Sequence, residues 1–482
     1  MFLKTYYNTR AIISQADLNY GVLYMFDFEK YLVPGVKGHL IGIGGVSMSP
    51  LAEVLHDAGL CIVGSDMHEG DNTRMLRDKG IQVTIGHFAD NITDDLQFVV
   101  RTAAVHDDNP EIQEAHRKGI PVFERTQAWG AIMRKYPNAI CIAGTHGKTT
   151  TTSMCTHIMM AAEKDPTVMI GGTLPLLHAG HRVGKGDTII FESCEYYNSF
   201  LSLTPTIAVV LNIEADHLDF FKDLQDIQNS FHAFASRVPE DGLIIANLDD
   251  ENTMEALKTL NRRMITFGIS EEADVHPANI VCKGAKSEFD IIYHGSFLTR
   301  AVIHIPGKHN IRNALAAAAA TLELGVSPAA VKYGLSGFQG AGRRFEFKGK
   351  FNGADLYDDY AHHPSELRAV LDAVEALDYS RTIVVFQPHT FSRTHALFQD
   401  FVEQLRRPTI TYLAEIYAAR EKNTIGISSR DLAEQIPGSR FFETFAEIEQ
   451  SLAETAKPGD IILTIGAGDV FRIGDHLMGS KR

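Results

Sequence analysis

Residues 144–150 of this 482-residue chain have the types and spacing that bind phosphate. A short apolar run at 140–143 precedes them, and a helical pattern of apolar side chains follows. A glycine loop between a strand and a helix turns its N–H groups toward phosphates, while lysine contacts the terminal ones and a threonine hydroxyl ligates magnesium. The pattern predicts a nucleoside triphosphate site at Gly144, Thr145, His146, Gly147, Lys148, Thr149 and Thr150.

The spacing of this loop is shorter than the common GxxxxGK[ST] pattern, because Ile142 stands where the first glycine would be. What remains is GxxGK[ST][ST], for which the alternative interpretation is an ordinary strand-to-helix turn. The strand before the loop and the helix after it favour the phosphate site.

Two further predicted strands end in residues that could serve the same phosphates. One apolar run, 188–191, ends at Glu192, and another, 207–213, leads to His217. Because the carboxyl ends of parallel strands meet at one edge of a sheet, we expect both side chains near the loop, as magnesium ligands or water-positioning groups. Taken singly, Glu192 could instead be a solvated turn residue, and His217 could be a structural histidine.

Two asparagines open an alanine-rich helix that Gly325 ends. Asn310 and Asn313 are three positions apart and therefore share one helix face, which predicts two carboxamides at its N-terminal end. The alternative interpretation is that Asn310 is simply the helix N-cap.

A second glycine loop lies in residues 38–48, after an apolar run and before a predicted helix. It resembles a dinucleotide fingerprint, and Asp66 lies about where the ribose-binding carboxylate belongs, but Ser47 replaces the third glycine. The sequence favours a nucleotide or nucleotide-sugar site over a nicotinamide site. A tight turn that packs a helix on a sheet is the remaining alternative.

Composition excludes several classes of protein. The chain is 45% apolar and 22% charged with a net charge of −15, and it has no cluster of lysine and arginine of the nucleic-acid-binding kind. Its 5 cysteines are scattered without a C-x-x-C pair, which indicates a reducing cytoplasm rather than a disulfide framework or a zinc site. No apolar run is long enough for a membrane span.

The elements divide into three predicted α/β domains after an N-terminal extension. Residues 1–24 lack both a signal peptide's apolar region and a clear periodicity, so we interpret them as an extension or a mis-chosen start. The predicted boundaries are 1–37 for the extension, then 38–138, 139–336 and 337–482 for the domains.

The third domain has its own strands that end in residues able to do chemistry, in 357–364, 386–389 and 466–469. His362 and His363 are adjacent, and neighbours on a strand face opposite ways. We therefore predict a strand-to-helix loop there, not a metal site.

Seven motifs together resemble the Mur ligases in order and spacing, over residues 38–482. They are GIGGVSM, GTHGKTTTTSM, NIEADHLD, GKHNIRNALAA, GRRFEFKG, DDYAHHPSE and FQPHTFSRT. The resemblance implies an α/β protein of three domains: a Rossmann-like N-terminal domain that binds a UDP-sugar, a central P-loop ATPase domain with a parallel sheet, and a Rossmann-like C-terminal ligase domain.

The resemblance also implies an activity. It is ATP-dependent joining of L-alanine to the carboxylate of UDP-N-acetylmuramate through an acyl phosphate, in cytoplasmic peptidoglycan precursor synthesis. ATP and Mg²⁺ are the implied cofactors, and neither nucleic acid nor membrane insertion is implied. A sister ligase that attaches a whole peptide to the same sugar is the alternative, and a dehydrogenase built on the first glycine loop would leave the GKT loop unexplained.

Carried over position by position, the resemblance assigns roles to the motif residues. Lys148, Glu192, His217 and Arg344 are implied in catalysis, and Thr149, Glu192 and His217 in metal binding. ATP contacts are implied for the phosphate loop and for Asn310, Asn313, Arg344 and Asp359. UDP-sugar contacts are implied for Gly44, Gly45, Val46, Ser47, Asp66 and His146, and the acceptor side for His389 and Arg393.

The chain departs from the family pattern in two places. The acids usual after the metal-side glutamate are replaced at Cys194 and Tyr197, although Glu195 is kept. Thr390 stands where a basic residue is common. The alternative of a nucleotide-sensing relative without catalysis would predict the loss of Lys148, Glu192 or His217. All three residues are present in this chain.

Overall fold

The fold is seen in a computed structural model that describes residues 27–102, 104–218, 220–419 and 421–479. The predicted extension over 1–24 lies outside these residues. The chain divides into two compact units, one running to Tyr136 with Ser202–Thr204 added, the other comprising Pro137–Leu201 and everything from Pro205.

The first unit is built on a parallel sheet with strand order β3-β2-β1-β4-β5. This is the doubly wound order of a Rossmann-like domain, as the sequence predicts. Its strands are β1 Lys37–Ile41, β2 Cys61–Asp66, β3 Gln82–Ile85, β4 Phe98–Arg101 and β5 Val122–Glu124. Its helices are α1 Ser49–Asp57, α2 Asp71–Asp78, α3 Pro110–Arg117 and α4 Arg125–Met133.

A short 3₁₀ turn, Asp27–Tyr31, packs against this sheet. The Phe28 ring is fully buried, with its centroid 5.0 Å from that of Phe98 and 5.1 Å from that of Phe123, both edge-on. The boundary predicted at residue 38 therefore leaves out a segment that belongs to the first domain, because burial of one aromatic ring fixes this turn to the core.

The second unit contains the largest sheet, with order β15-β14-β13-β12-β11-β10-β6-β9-β7-β8 among the described residues. Its middle is parallel, as predicted, and each end is extended by antiparallel strands. The strands are β6 Asn138–Ala143, β7 Thr167–Leu174, β8 Ala179–Arg182, β9 Thr188–Glu192, β10 Ile207–Val210, β11 Leu243–Asn247, β12 Arg263–Phe267, β13 Val275–Lys283, β14 Lys286–Tyr293 and β15 Ser296–Ile303.

Helices cover this sheet by close approach of small residues. A Cβ at Gly334 would lie 2.4 Å from the Ile158 Cα, so the helices that carry these residues meet backbone to backbone. The alanines of the predicted alanine-rich helix are buried for the same reason. The helices are α5 Lys148–Ala161, α6 Leu224–Ala235, α7 Glu251–Leu257, α8 Lys308–Leu322 and α9 Pro328–Gly337.

A third sheet in the same unit has order β16-β17-β21-β18-β19-β20, parallel except for the β16–β17 pair. It gives the predicted Rossmann-like C-terminal domain. The strands are β16 Glu346–Phe351, β17 Ala354–Asp359, β18 Arg381–Phe386, β19 Ile410–Leu413, β20 Arg440–Phe441 and β21 Asp460–Ile465. The helices are α10 Pro364–Glu375, α11 Phe391–Ala396, α12 Phe398–Leu405, α13 Ser429–Gln435, α14 Phe445–Thr455 and α15 Phe471–Leu477.

Among the described helices, none combines the length and the apolar character that a membrane crossing requires.

Candidate active site

The glycine loop after β6 has the geometry of a phosphate cradle. Gly144 and Gly147 have φ of 150° and 84°, in a region that favours glycine, and α5 begins at Lys148. The predicted order of strand, loop and helix is confirmed. The N-terminus of α5 and the loop N–H groups are thereby available to an anion.

Lys148 is held by oxygen atoms. Its Nζ lies 2.9 Å and 3.2 Å from the two oxygens of Glu195 and also donates to the carbonyls of Gly144 and Thr145. Burial by itself would lower the pKa of Lys148, but the Glu195 carboxylate outweighs burial and raises it. The lysine is therefore a fixed cation at the mouth of the loop.

The Thr149 hydroxyl lies beside the carboxylate that ends β9. Its Oγ1 donates to Glu192 Oε1 at 2.9 Å, and Glu192 Oε2 accepts from the Gly171 N–H at 2.6 Å. A hydroxyl and a carboxylate are hard oxygen donors of the kind that magnesium prefers. These two residues fit a magnesium site at the phosphate end.

His217 follows β10 in a left-handed conformation, with φ of 53°. Its ring stacks on Tyr196 at 4.3 Å between centroids and 21° between planes, and its Nε2 lies 3.9 Å from Glu195 Oε1. Strained backbone at a strand end commonly marks a functional residue. The structure brings His217 to the carboxylate that also binds Lys148.

The two asparagines lie inside α8, not before it. The helix begins at Lys308 with Gly307 as N-cap, so the alternative that Asn310 is the N-cap is wrong. Asn310 donates to the Pro306 carbonyl at 2.6 Å and accepts from Asn313 Nδ2 at 3.2 Å. A Cβ at Gly147 would lie 2.7 Å from Asn313 Oδ1, which places the pair directly against the phosphate loop.

His146 connects the phosphate loop to the C-terminal domain. Its Nε2 lies 2.9 Å from Ser365 Oγ and 3.4 Å from Glu214 Oε2, while its Nδ1 lies 3.1 Å from Glu366 Oε1. Burial by itself would lower the pKa of His146, but Glu366 and Glu214 raise it to about 10. A charged imidazole therefore bridges carboxylates from both domains.

The same histidine takes part in a group with metal-ligand chemistry. Donor atoms of His146, Glu214 and His363 lie within 4.8 Å of one another. His363 nevertheless lies in a strand-to-helix loop, as predicted, and its Nδ1 caps α10 beside Ser365 at 2.8 Å. His146 is connected to Ser365 and Glu366 in the same network, at 2.9 Å and 3.1 Å.

Two residues predicted to reach the nucleotide lie at the start of the third domain. The Arg344 guanidinium lies 5.1 Å from the centroid of the Tyr360 ring, and its Nη1 lies 3.8 Å from Glu366 Oε1. Asp359 accepts from the N–H groups of Phe345 at 2.7 Å and Ala361 at 2.8 Å. Burial raises the pKa of Asp359 to about 6, against the opposing effect of Arg344.

The predicted acceptor residues lie together after β18. Arg393 Nη1 donates to His389 Nδ1 at 3.1 Å, and the His389 ring stacks on Tyr417 at 5.7 Å and 18°. Burial, together with the positive charge of Arg393, lowers the pKa of His389 to about 3, so this ring is neutral. Arg393 also pairs with Asp216, the neighbour of His217, at 2.9 Å.

The glycine loop of the first unit is tied to its predicted carboxylate. The Gly44 N–H donates to Asp66 Oδ2 at 2.9 Å, and a Cβ at Gly44 would lie 3.0 Å from the same oxygen. Val46 is exposed, and Ser47 Oγ accepts from Arg125. Gly45 forms a turn with Gly42 before α1 starts at Ser49. The loop is a turn at the carboxyl end of β1, the end of a parallel sheet where nucleotides bind.

Sequence reasoning missed several residues of the site in the second unit. Tyr196 carries no spacing signal, and Asp216 lies in the NIEADHLD motif without a predicted role. A signal did exist for Glu366: it stands three residues after the N-cap His363, which is where a capping box places an acid. These residues surround the predicted ones and set their orientation.

Comparison with protein families places three models along the chain. The "Mur ligase family, catalytic domain" model matches residues 37–137, the "Mur ligase middle domain" model residues 142–321, and the "Mur ligase, glutamate ligase domain" model residues 343–468.

Two relatives that match nearly the whole chain carry the same name. The UDP-N-acetylmuramate–L-alanine ligase of Agathobacter rectalis is 46% identical over 461 residues, which covers 95% of this chain and 100% of that protein. The enzyme of the same name from Clostridium novyi is 44% identical, covering 92% and 98%. The crystal structure of UDP-N-acetylmuramate-alanine ligase MurC from Thermotoga maritima superposes with a TM-score of 0.76 at 27% identity, covering 92% of this chain and 98% of that one.

Proposed function

Because the chain belongs to the Mur ligase family, we propose that it joins L-alanine to UDP-N-acetylmuramate at the expense of ATP. The products are an amide, ADP and phosphate. The relatives that match nearly its whole length carry the name of this reaction. The reaction makes a precursor of peptidoglycan.

One observation carries the proposal beyond the names of relatives. The phosphate end and the acceptor end of the site meet within one unit, because Asp216 precedes His217 in the chain and pairs with Arg393 at 2.9 Å. A triphosphate on the loop and an amino acid at Arg393 would therefore be neighbours. Such proximity is what a two-substrate ligation requires.

The chemistry explains why ATP is needed. A carboxylate does not react with an amine, since its leaving group would be oxide. Transfer of the γ-phosphoryl group to the carboxylate gives an acyl phosphate, from which the amine displaces phosphate. Phosphoryl transfer depends on positioning and charge stabilisation more than on covalent help from the protein.

The residues of the loop supply that stabilisation. Lys148 would exchange its contact with Glu195 for the terminal phosphates, and Arg344 would reach them from the third domain. Magnesium held by Thr149 and Glu192, with His217 at a second position, would neutralise phosphate charge when bound. Each of these side chains lies in the second unit, at the C-terminal edge of the central sheet or in the domain that follows.

The acceptor would bind at the C-terminal domain through its carboxylate. Arg393 offers a charged N–H donor that suits a carboxylate oxygen, and neutral His389 lies beside it. An attacking amine bound there would face the acyl phosphate.

The remaining assignments follow the same scheme. Asn310 and Asn313 would serve the adenine end of ATP, and Asp359 would also reach the nucleotide. Gly44, Gly45, Val46, Ser47 and Asp66 would bind the UDP-sugar together with His146. We assign residues 38–138 to the UDP-sugar, 139–336 to ATP and 337–482 to ligation, in the cytoplasm.

The test supplies UDP-N-acetylmuramate, ATP and Mg²⁺ with one acceptor at a time and measures phosphate release. L-Alanine should give the fastest release, and glycine a slower one, since one methyl group in a pocket is worth about 1–3 kcal/mol. A tripeptide that begins with L-alanine serves as the matched acceptor for the sister activity.

Two outcomes would contradict the proposal. Release with the tripeptide but not with L-alanine would assign the chain to the peptide-adding relatives. Release that does not depend on any acceptor would indicate an ATPase.

A further inference from the structure

The guanidinium of Arg393 is fixed on two of its edges. Nε and Nη2 donate to the same oxygen of Asp216, at 3.1 Å and 2.9 Å. Nη1 donates to His389 Nδ1 at 3.1 Å and to the His389 carbonyl at 3.3 Å. Because a guanidinium has five N–H donors, these four contacts fix its plane and leave an Nη2 hydrogen on the edge between Nη1 and Nη2.

The ion pair joins two domains and is shielded from water. Asp216 follows β10 of the central sheet, whereas Arg393 lies on α11 of the third sheet. The two side chains are only 9% and 10% exposed. Asp216 Oδ1 also accepts from the His217 N–H at 2.7 Å, so one oxygen connects the strand end of the ATP domain to the arginine.

The residue that caps the helix of Arg393 has a strained backbone. Thr390 has φ of 68°, which is unfavourable for a β-branched residue. Its N–H donates to the Tyr417 carbonyl at 2.9 Å, and its Oγ1 caps the Arg393 N–H at 3.4 Å. Surrounding contacts hold such strain only where they over-determine the conformation.

Asp216 occupies the edge of the guanidinium that carries Nε, and the single Nη2 hydrogen outside these contacts is left for a ligand.

We propose that Asp216 is a positioning residue for the acceptor: it orients Arg393 to bind the carboxylate of the incoming amino acid. The inference rests on the proposed function, since it takes Arg393 as the acceptor's partner. It gives Asp216 no contact with the reacting atoms. It also means that the strand end that carries His217 sets the acceptor geometry.

The test uses Asp216→Asn in the full chain, which keeps Oδ1 as an acceptor and removes the charge. A charged hydrogen bond affects binding by roughly tenfold or more, so the KM for L-alanine should rise at least about tenfold. The kcat and the KM for ATP should change by less than about threefold. When Arg393 is already replaced by lysine, Asp216→Asn should change the KM for L-alanine little further. Lysine lacks the paired Nε and Nη2 donors that Asp216 holds.

Asp290→Asn is the matched control. It removes the charge from an aspartate–arginine pair in the same unit, with Arg300 at 2.8 Å on the β14–β15 pair. This variant should keep the KM for L-alanine of the parent.

A second readout needs no turnover. Amide hydrogen exchange in α11 should become faster in Asp216→Asn without substrates, because the anchor of Arg393 is weakened. If the parent releases no phosphate with L-alanine, the proposed function fails, and this comparison still decides whether Asp216 holds Arg393.

Three results would overturn the inference. An unchanged KM for L-alanine, or unchanged exchange in α11, would mean that Asp216 does not position Arg393. A lower KM would make Asp216 a competitor of the acceptor. A shift in the Mg²⁺ requirement with the KM for L-alanine unchanged would assign Asp216 to the phosphate end.

Discussion

Lys148 and Glu195 form the ion pair on which the phosphate end depends. Glu195 is buried and accepts from the Lys148 ammonium at 2.9 Å, while His217 Nε2 lies farther away, at 3.9 Å. A triphosphate would offer the lysine stronger partners and leave Glu195 facing the metal site. The ion pair therefore holds the Lys148 ammonium at the phosphate loop in the absence of substrate.

Lys148→Ala should lower turnover by about 10²–10³-fold or more, because one preorganised charge on the transferring group is lost. It should also destabilise the fold, since breaking a buried pair costs about 3–5 kcal/mol. Phosphate release is measured at a temperature where circular dichroism shows the variant folded. Lys164→Ala, an exposed lysine beyond the other end of α5, is the control. Turnover within about tenfold of the parent would contradict the assignment of the loop.

Tyr196→Ala should raise the Mg²⁺ concentration needed for half-maximal activity, because His217 loses the ring that fixes its plane. A stacked pair is worth about 0.5–1.5 kcal/mol, which corresponds to a shift of roughly 2- to 12-fold. Tyr196→Phe keeps the ring and should stay close to the parent. Equal Mg²⁺ titrations for all three proteins would make the stacking irrelevant to the metal.

At the scale of elements, the strand ends and helix starts place the chemistry, and the sequence predicts these best. The runs that form β6 and β10 are buried on both faces of a parallel sheet and are therefore continuously apolar. Their ends locate Lys148 and His217 without any knowledge of packing. The start of α8 was less predictable: Gly307 and Asn310 are both plausible caps, and only the observed backbone decides between them.

Contacts between distant elements were beyond sequence reasoning. The Asp216–Arg393 pair spans 177 residues, and no local pattern encodes it. The Ser365–His146 contact spans 219 residues. The pairing of the antiparallel strands β13–β15 is not readable from the sequence either, because alternation of polar and apolar residues does not reveal which sheet they extend.

The network that links the phosphate loop to the start of α10 should be lost at high pH. The folded pKa of His146 is raised to about 10 from an ordinary value of 6.5, so its stabilisation is fully present below 6.5 and disappears as pH rises toward 10. His146→Gln should therefore lower the melting temperature most near pH 6, and the difference from the parent should shrink toward pH 10.

Thermal unfolding of parent and variant across this range checks the prediction. Exposed His304→Gln is the control and should show little difference at any pH. A constant difference for His146→Gln from pH 6 to pH 10 would show that the imidazole is not charged in the folded protein.

At the scale of the whole molecule, the described residues form three largely or wholly parallel sheets, and the candidate site residues follow the ends of their strands. The first unit offers an open glycine turn beside Asp66, and the second unit combines the phosphate loop with the acceptor residues. Sequence patterns were sufficient to divide the chain into these sheets, since each has its own run of apolar strands and glycine turns. They were insufficient for the 3₁₀ turn Asp27–Tyr31, where one buried phenylalanine decides membership of the domain.

The most direct measurement of the proposed reaction follows oxygen from the sugar carboxylate. UDP-N-acetylmuramate labelled with ¹⁸O in its carboxylate is converted with ATP, Mg²⁺ and L-alanine, and the released phosphate is analysed by mass. An acyl phosphate transfers one carboxylate oxygen to phosphate, so each phosphate should carry one ¹⁸O. Unlabelled phosphate, released together with the amide product, would contradict the acyl-phosphate route and the role proposed for the phosphate loop.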